Sequence, residues 1–198
     1  PIGAAAGYYG GWLDNALMRL TDTFLSLPSF LVLILLSAIL REVDAPLFER
    51  SNVLTIGVVI GLFGWMTFAR LVRAAFLTIR ELDFVSAARA LGGRDLWIIV
   101  RHILPNAIGP IIVECTLELG YAIIEESGLS FLGFGIQQPT PSWGNLLGNA
   151  QEHFVKYPWL AIFPGLMIFL AIISVNYIGD GLRDAYDPYK MLEQVGER

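Results

Sequence analysis

Four apolar runs, separated by polar segments of unequal length, set the pattern of this chain. Residues 24–40 are apolar except for Ser26, Ser29 and Ser37, with Pro28 near the start. Residues 53–76 form the second run, with Arg70 and Arg73 towards its end. The third, 108–129, contains carboxylates, and the fourth, 158–178, is the most uniform. At about 1.5 Å rise per residue, such lengths match a hydrocarbon core of about 30 Å. Backbone groups in lipid must be satisfied within the segment, and barrel-like alternation of period two is not seen, so the runs read as helices. The expected fold class is all-α, a polytopic membrane helix bundle.

The segments between the runs differ in character. The first dozen residues, PIGAAAGYYGGW, are too short to span, yet Gly3 and Gly7 fit the small-xxx-small spacing of packed membrane helices. They read as the tail of an earlier helix, or else as a short interfacial segment. Residues 83–106, DFVSAARALGGRDLWIIVRHILPN, are far longer than a turn needs. Phe84, Val85, Ala88 and Leu91 recur at helical spacing, and Ala87, Ala88 and Ala90 keep the helix slender. Gly92-Gly93 supplies a left-handed cap. A second helical stretch is expected over 95–102, and Pro105 is expected to break the pattern before the next membrane helix. Two readings stand at this level: a helix docked on something outside the bilayer, or an amphipathic helix lying on the membrane surface. Residues 130–157 are rich in Gly, Pro and aromatics and too apolar for a free loop, so they should tuck back against the bundle. Trp143, Tyr157 and Trp159 suit a headgroup-level belt.

Composition and charge agree with a membrane protein. The chain of 198 residues is 55% hydrophobic and 16% charged, against about a quarter charged in soluble domains. A net charge of −5, with no basic face, argues against nucleic acid as a partner. Cationic side chains orient the bundle. With 77–105 in the cytoplasm, Arg19, Arg70, Arg73, Arg80, Arg89, Arg94, Arg101, Arg183, Lys190 and Arg198 lie inside, and only Arg41, Arg50 and Lys156 outside. The C-terminus is then cytoplasmic. Cys115 has no partner for an internal disulfide and reads as a small packing residue. His102 and His153 fall on opposite sides and cannot share a metal. No GxxxxGK[ST] phosphate loop occurs.

The third run carries four carboxylates. Glu114, Glu118 and Glu125 fall within about 40° of one helix face, with Tyr121 beside them, while Glu126 points elsewhere. An ionised acid facing lipid costs several kcal/mol, so these must face the bundle interior or a watered path. They read as a polar wall of a pathway for cationic or amine-bearing solutes, or as partners of arginines or of a second subunit.

The insert also carries a resemblance. Ser86-Ala87-Ala88, then Gly92, then Leu104-Pro105 resembles the EAA loop of ABC-importer permeases, whose pattern is E-A-A, three residues, G, nine residues, I-x-L-P. Ser86 stands where that family often has Glu, and His102 where it has Ile. AGYYGGWLDNALMRLTDTFLSLPS (6–29), ARLVRA (69–74), RHILPNA (101–107), LSFLGFG (129–135), PTPSWGNLL (139–147) and GDGLRDAYDP (179–188) are similar to the C-type subunit of the dipeptide, oligopeptide and nickel branch. Such permeases carry a further helix and a half before this point, which suggests a missing N-terminal part.

The resemblance implies a type I importer permease domain over 1–188, with about four complete spans plus the tail of an earlier helix, and a cytoplasmic tail over 189–198. It implies a prokaryotic inner-membrane location and no catalysis or cofactor in this chain. ATP and Mg²⁺ would belong to two partner ATPases. A second permease subunit would complete the pathway, and an extracytoplasmic binding protein would deliver the solute, a di- or oligopeptide or else nickel. Phe84, Ser86, Ala87, Ala88, Arg89, Gly92, Leu104 and Pro105 would couple to the ATPases, with Arg89 and Arg94 facing their acidic residues. Glu126 matches a carboxylate often present before LSFLG. A proton-coupled secondary transporter using the glutamates, or a membrane scaffold, would leave the long insert unexplained.

Overall fold

A computed structural model describes residues 1–42 and 53–186. The 189–198 tail, and the loop carrying Arg50, lie outside the described residues. Among the described residues, nine α-helices run in order: α1 Ile2–Tyr9, α2 Gly11–Leu25, α3 Ser29–Glu42, α4 Val53–Arg80, α5 Asp83–Ala90, α6 Asp95–Ile98, α7 Leu104–Phe131, α8 Trp143–Ala150 and α9 Trp159–Tyr186. A widened π turn, Ile99–Ile103, joins α6 to α7. Three helical stretches are long and apolar enough to cross a membrane: Val53–Arg80, Asp95–Phe131 and Trp159–Ala185.

Two expectations are corrected here. The first apolar run is not one helix: α2 ends at Leu25 and α3 begins at Ser29. Pro28 has no N–H to donate and disfavours helical geometry in the residue before it. The α2–α3 pair makes a fourth crossing only if counted together. Pro105 does not break the helix either, since Asp95–Phe131 runs on as one stretch. Pro105 sits in the first turn of α7, directly after the π turn, where the lengthened register absorbs the missing donor. The Asn106 side chain donates to the His102 carbonyl at 2.7 Å, capping an acceptor in the same turn.

Contacts divide the chain into two units. The first takes Pro1–Ser26, Trp65–Thr116 and, of the described residues, 177–186. Its core is Tyr8, Phe76, Val85, Ala88, Ile98, Ile103 and Ala107. α1 seats on α4 by backbone contact: a Cβ on Gly3 would meet the Ala69 carbonyl, and one on Gly7 would meet Phe76 Cβ at 2.6 Å and the Arg73 carbonyl at 2.7 Å. The small-xxx-small reading of the opening residues is thus realised as packing. α2 is held to α4 by Asp14, which is only 8% exposed and accepts two hydrogen bonds from Arg73, at 2.5 and 2.6 Å. Such a fork matches carboxylate geometry and fixes orientation as well as charge. Asp22 and Arg70 form a second, exposed pair. Cys115 lies exposed on α7 rather than buried, one position before buried Thr116.

The second unit takes Leu27–Gly64 and Leu117–Asn176. Leu33, Val59 and Leu129 are its buried centre, ringed by Phe30, Ile34, Ile60, Phe63 and Phe134. The 130–157 segment does fold back, and it holds a helix that periodicity did not reveal. Ser142 caps α8, accepting from the Asn145 N–H at 3.2 Å. Gly144 lies against the Ser127 carbonyl and Gly148 against that of Phe131, so α8 packs on the end of α7.

Gly7→Val should destabilise the chain by about 1–3 kcal/mol, because the added methyls meet α4 backbone that cannot yield. Gly57→Ala, where a Cβ in the helix interior meets open space, should instead stabilise by about 0.5–1 kcal/mol. Thermal unfolding of the two variants in detergent checks the pair.

Candidate functional site

The insert is a small rigid body. Val85 and Ala88 on α5 are buried against Phe76, Ile98 and Ile103. Gly92 takes φ +81, the Gly93 N–H donates to the Ala88 carbonyl at 3.1 Å and the Gly92 N–H to Arg89 at 3.0 Å. These paired bonds end α5 in the Schellman arrangement that the Gly-Gly pair suggested. The apolar face expected along α5 is split. Val85 and Ala88 face the core, while Phe84 is partly exposed, Ser86 and Ala87 are exposed and Leu91 is 89% exposed. On the following stretch Leu96 and Trp97 are 72% and 51% exposed. Leu104 and Pro105 lie at the surface where α7 begins.

The two departures from the family pattern have distinct settings. Ser86 is exposed on the free side of α5. His102 packs its ring edge-on to Trp97 at 4.6 Å and near Phe84 at 6.4 Å, and its Nε2 is buried without a hydrogen-bond partner. The imidazole acts here as an aromatic spacer.

Contacts from far along the chain support the insert, and the sequence reading missed them. Tyr8, at the end of α1, is buried and donates its hydroxyl to Asp95 Oδ1 at 2.7 Å. Burial, and then the Asp95 hydrogen bond, raise the phenol above its ordinary range, so the donor proton is retained. Arg89 lies 5.8 Å from the centre of the Tyr8 ring. Its charge is thus engaged within the chain. Arg80 donates to the Gly7 and Tyr8 carbonyls at 2.9 and 3.2 Å. The sequence signal was a tyrosine pair running into Gly-Gly at the end of a small-residue helix.

The carboxylates of α7 have separate surroundings. Glu114 belongs to the first unit and is half-buried. In the second unit Glu118 and Glu125 are half-buried, Gly64 lies beside Glu118, and Tyr121 is 63% exposed. Glu126 is bound differently. Ser130 donates its hydroxyl to Glu126 Oε1 at 2.6 Å and accepts from the Ile136 N–H at 2.9 Å. The end of α7 repeats the arrangement of α5: Gly133 has φ +81, the Phe134 N–H donates to Leu129 at 2.7 Å, and the Gly133 N–H donates to Ser130 at 3.1 Å. Glu126 therefore helps to shape the turn into α8.

Ser130→Ala should cost about 1–3 kcal/mol, since the buried Ile136 N–H loses its acceptor. Hydrogen exchange followed by mass spectrometry should show faster labelling across 132–142 with α4 unchanged.

Three comparisons bear on this geometry. The family described as binding-protein-dependent transport system inner membrane component matches residues 1–190. The dipeptide transport system permease protein DppC of Alkalihalophilus pseudofirmus is 42% identical over 187 residues, covering 94% of this chain and 59% of that protein. The glutathione transport system permease protein GsiD is 40% identical in Pectobacterium atrosepticum, again over 94% of this chain and 59% of the relative. GsiD of Escherichia coli O157:H7 is also 40% identical, over 94% and 61%. The chain thus spans about three-fifths of the length of these relatives. Among solved structures, the MetNI methionine ABC transporter in inward-facing conformations aligns with a TM-score of 0.72 at 17% identity, over 94% of this chain and 85% of that one. At that identity the likeness shows the fold.

Proposed function

Because this chain belongs to the binding-protein-dependent transport system inner membrane components, we propose that it forms half of the pathway of an ATP-driven peptide importer. The observation that carries this reading is the insert. Leu91, Leu96 and Trp97 stand uncovered on a short helical body seated by Val85 and Ala88 and ended by Gly92. Leu91 lies on the polar stretch before Asp95–Phe131, and Leu96 and Trp97 on the first turn of that helical stretch; an exposed apolar group at such a point supports an interaction site. The partner is a cytoplasmic ATPase, with Phe84, Ser86, Ala87 and Gly92 at or beside the contact. Ala88 works from behind as the seat, Leu104 and Pro105 lie where the body joins α7, and Arg89 serves the internal packing.

In this scheme the chain carries out no bond chemistry itself. Two ATPases hold ATP and Mg²⁺, a second permease completes the path, and an extracytoplasmic protein delivers the solute. The names of the relatives favour a short peptide as cargo. The insert and the C-terminus lie in the cytoplasm in this reading, which the distribution of Lys and Arg supports. Closure of the ATPases moves the insert as a lever. α6 continues through the π turn into α7, so the lever has an unbroken helical arm. Glu118, Tyr121 and Glu125 form a polar wall on α7, with Glu114 further along it, and they favour an amine-bearing solute.

Gly92→Val should uncouple hydrolysis from uptake without preventing membrane insertion. A Cβ there meets open space, so the penalty is conformational, about 1–2 kcal/mol for a left-handed L-residue. Uptake and ATPase stimulation in proteoliposomes decide it, and unchanged uptake counts against the lever. In the same vesicles, Glu118→Gln should reduce uptake of a lysine-containing dipeptide about tenfold more than that of a neutral one, the effect expected for losing roughly 1.4 kcal/mol of charge pairing. Equal losses would make Glu118 structural.

A further inference from the structure

The proposed lever is joined covalently to α4 and α7, and α1 touches it through the Tyr8 side chain. That contact is built from few parts. The Tyr8 ring is buried in the same core as Val85 and Ala88 of α5 and Ile98 of α6. Its hydroxyl donates to Asp95, the first residue of α6, and its ring lies under Arg89, near the end of α5. One side chain therefore touches both arms of the insert. The backbone on either side of the Gly7–Tyr8 bond is gripped as well, because Arg80 at the end of α4 donates to both carbonyls. Arg80 is itself oriented by Glu81 at 2.8 Å. The charges around the ring are thus Arg80, Glu81, Arg89 and Asp95, two of each sign.

The turn beyond Tyr8 is equally specific. Gly10 and Gly11 have φ values of +68 and +60, a conformation that L side chains rarely adopt. A Cβ on Gly10 would meet Arg80 Nη1 at 2.9 Å. The chain turns sharply there and leaves into α2, which is held in its own direction by the Asp14–Arg73 pair.

We infer that Tyr8 is a positioning residue for coupling, a clasp that makes α1 follow the insert when the insert is displaced. The inference rests on the reading of the insert as an ATPase lever. Burial alone would be served equally by phenylalanine, which keeps the packing on Ile98, whereas the clasp needs the hydroxyl, because the Asp95 bond adds a directional tie from α1 to the second arm.

The test uses the whole importer, purified with its partner subunits and binding protein and reconstituted in proteoliposomes. Tyr8→Phe keeps the ring and removes the bond. It should lower peptide taken up per ATP hydrolysed by about tenfold or more, the scale of one hydrogen bond to a charged acceptor. Asp95→Asn keeps an acceptor and should retain most of the ratio, and the double variant should be no worse than Tyr8→Phe alone. A purely structural role would change the amount of assembled complex and leave the ratio untouched, because uptake and hydrolysis scale together. A Tyr8→Phe ratio equal to wild type overturns the clasp. Wild-type vesicles that hydrolyse ATP but take up no peptide would instead overturn the importer reading, and the inference with it.

Discussion

The first unit depends on a backbone-to-backbone contact. Gly3 and Gly7 bring α1 so close to α4 that a single methyl on either would meet Ala69, Arg73 or Phe76. In hydrocarbon there is little hydrophobic gain from bringing helices together, so such close van der Waals contact must supply much of the attraction. Everything nearby is arranged by it. It carries Tyr8 into the core beside Phe76, and it presents the carbonyls of Gly7 and Tyr8 to Arg80. The insert then closes over Tyr8 with Val85, Ala88 and Ile98. The short polar body owes its rigidity to a contact between two helices that pack closely through glycines.

The second unit solves a different problem with similar means. α7 must stop, and the chain must fold back without leaving unsatisfied backbone in an apolar setting. Gly133 turns the chain, Leu129 and Ser130 accept the two returning N–H groups, and the Ser130 hydroxyl links the Glu126 carboxylate to the Ile136 N–H. Phe134 closes the turn by packing on the Leu129 cluster. α8 can then lie down on α7 through Gly144 and Gly148. A carboxylate that reads as a pathway group from position alone is engaged in shaping the loop.

What was legible in the sequence was local. The lengths of three apolar runs, the cap at Gly92 and the small-residue seam at Gly3 and Gly7 depend on near neighbours along the chain, and pattern carries that information. The division between α2 and α3 was harder, because hydropathy runs smoothly across Pro28 while the backbone cannot. Pro105 misled in the opposite sense: a proline that ends many helices is absorbed here by a π turn, which has no compositional signature. Leu91 shows the limit of periodicity. It shares a spacing with Ala88, yet one is buried and the other is almost fully exposed. Tyr8 and Asp95 are 87 residues apart, and no single-chain pattern pairs them. The insert and its seat at Val85 and Ala88 were therefore found from sequence, but the tie from Tyr8 to Asp95 was not.

The two glycine caps carry a consequence about handedness. Gly92 and Gly133 hold the same φ of +81 at the ends of α5 and α7, and open space surrounds a Cβ at either. Crowding does not exclude larger residues at these points; chirality does. The backbone there is in the half of conformational space natural to mirror-image amino acids, which the ribosome does not supply, and glycine is the one achiral residue available. A D-alanine introduced by chemical synthesis at position 92 would suit the turn where its L-enantiomer strains it. These two helix ends, one in each unit, thus rest on the absence of a stereocentre.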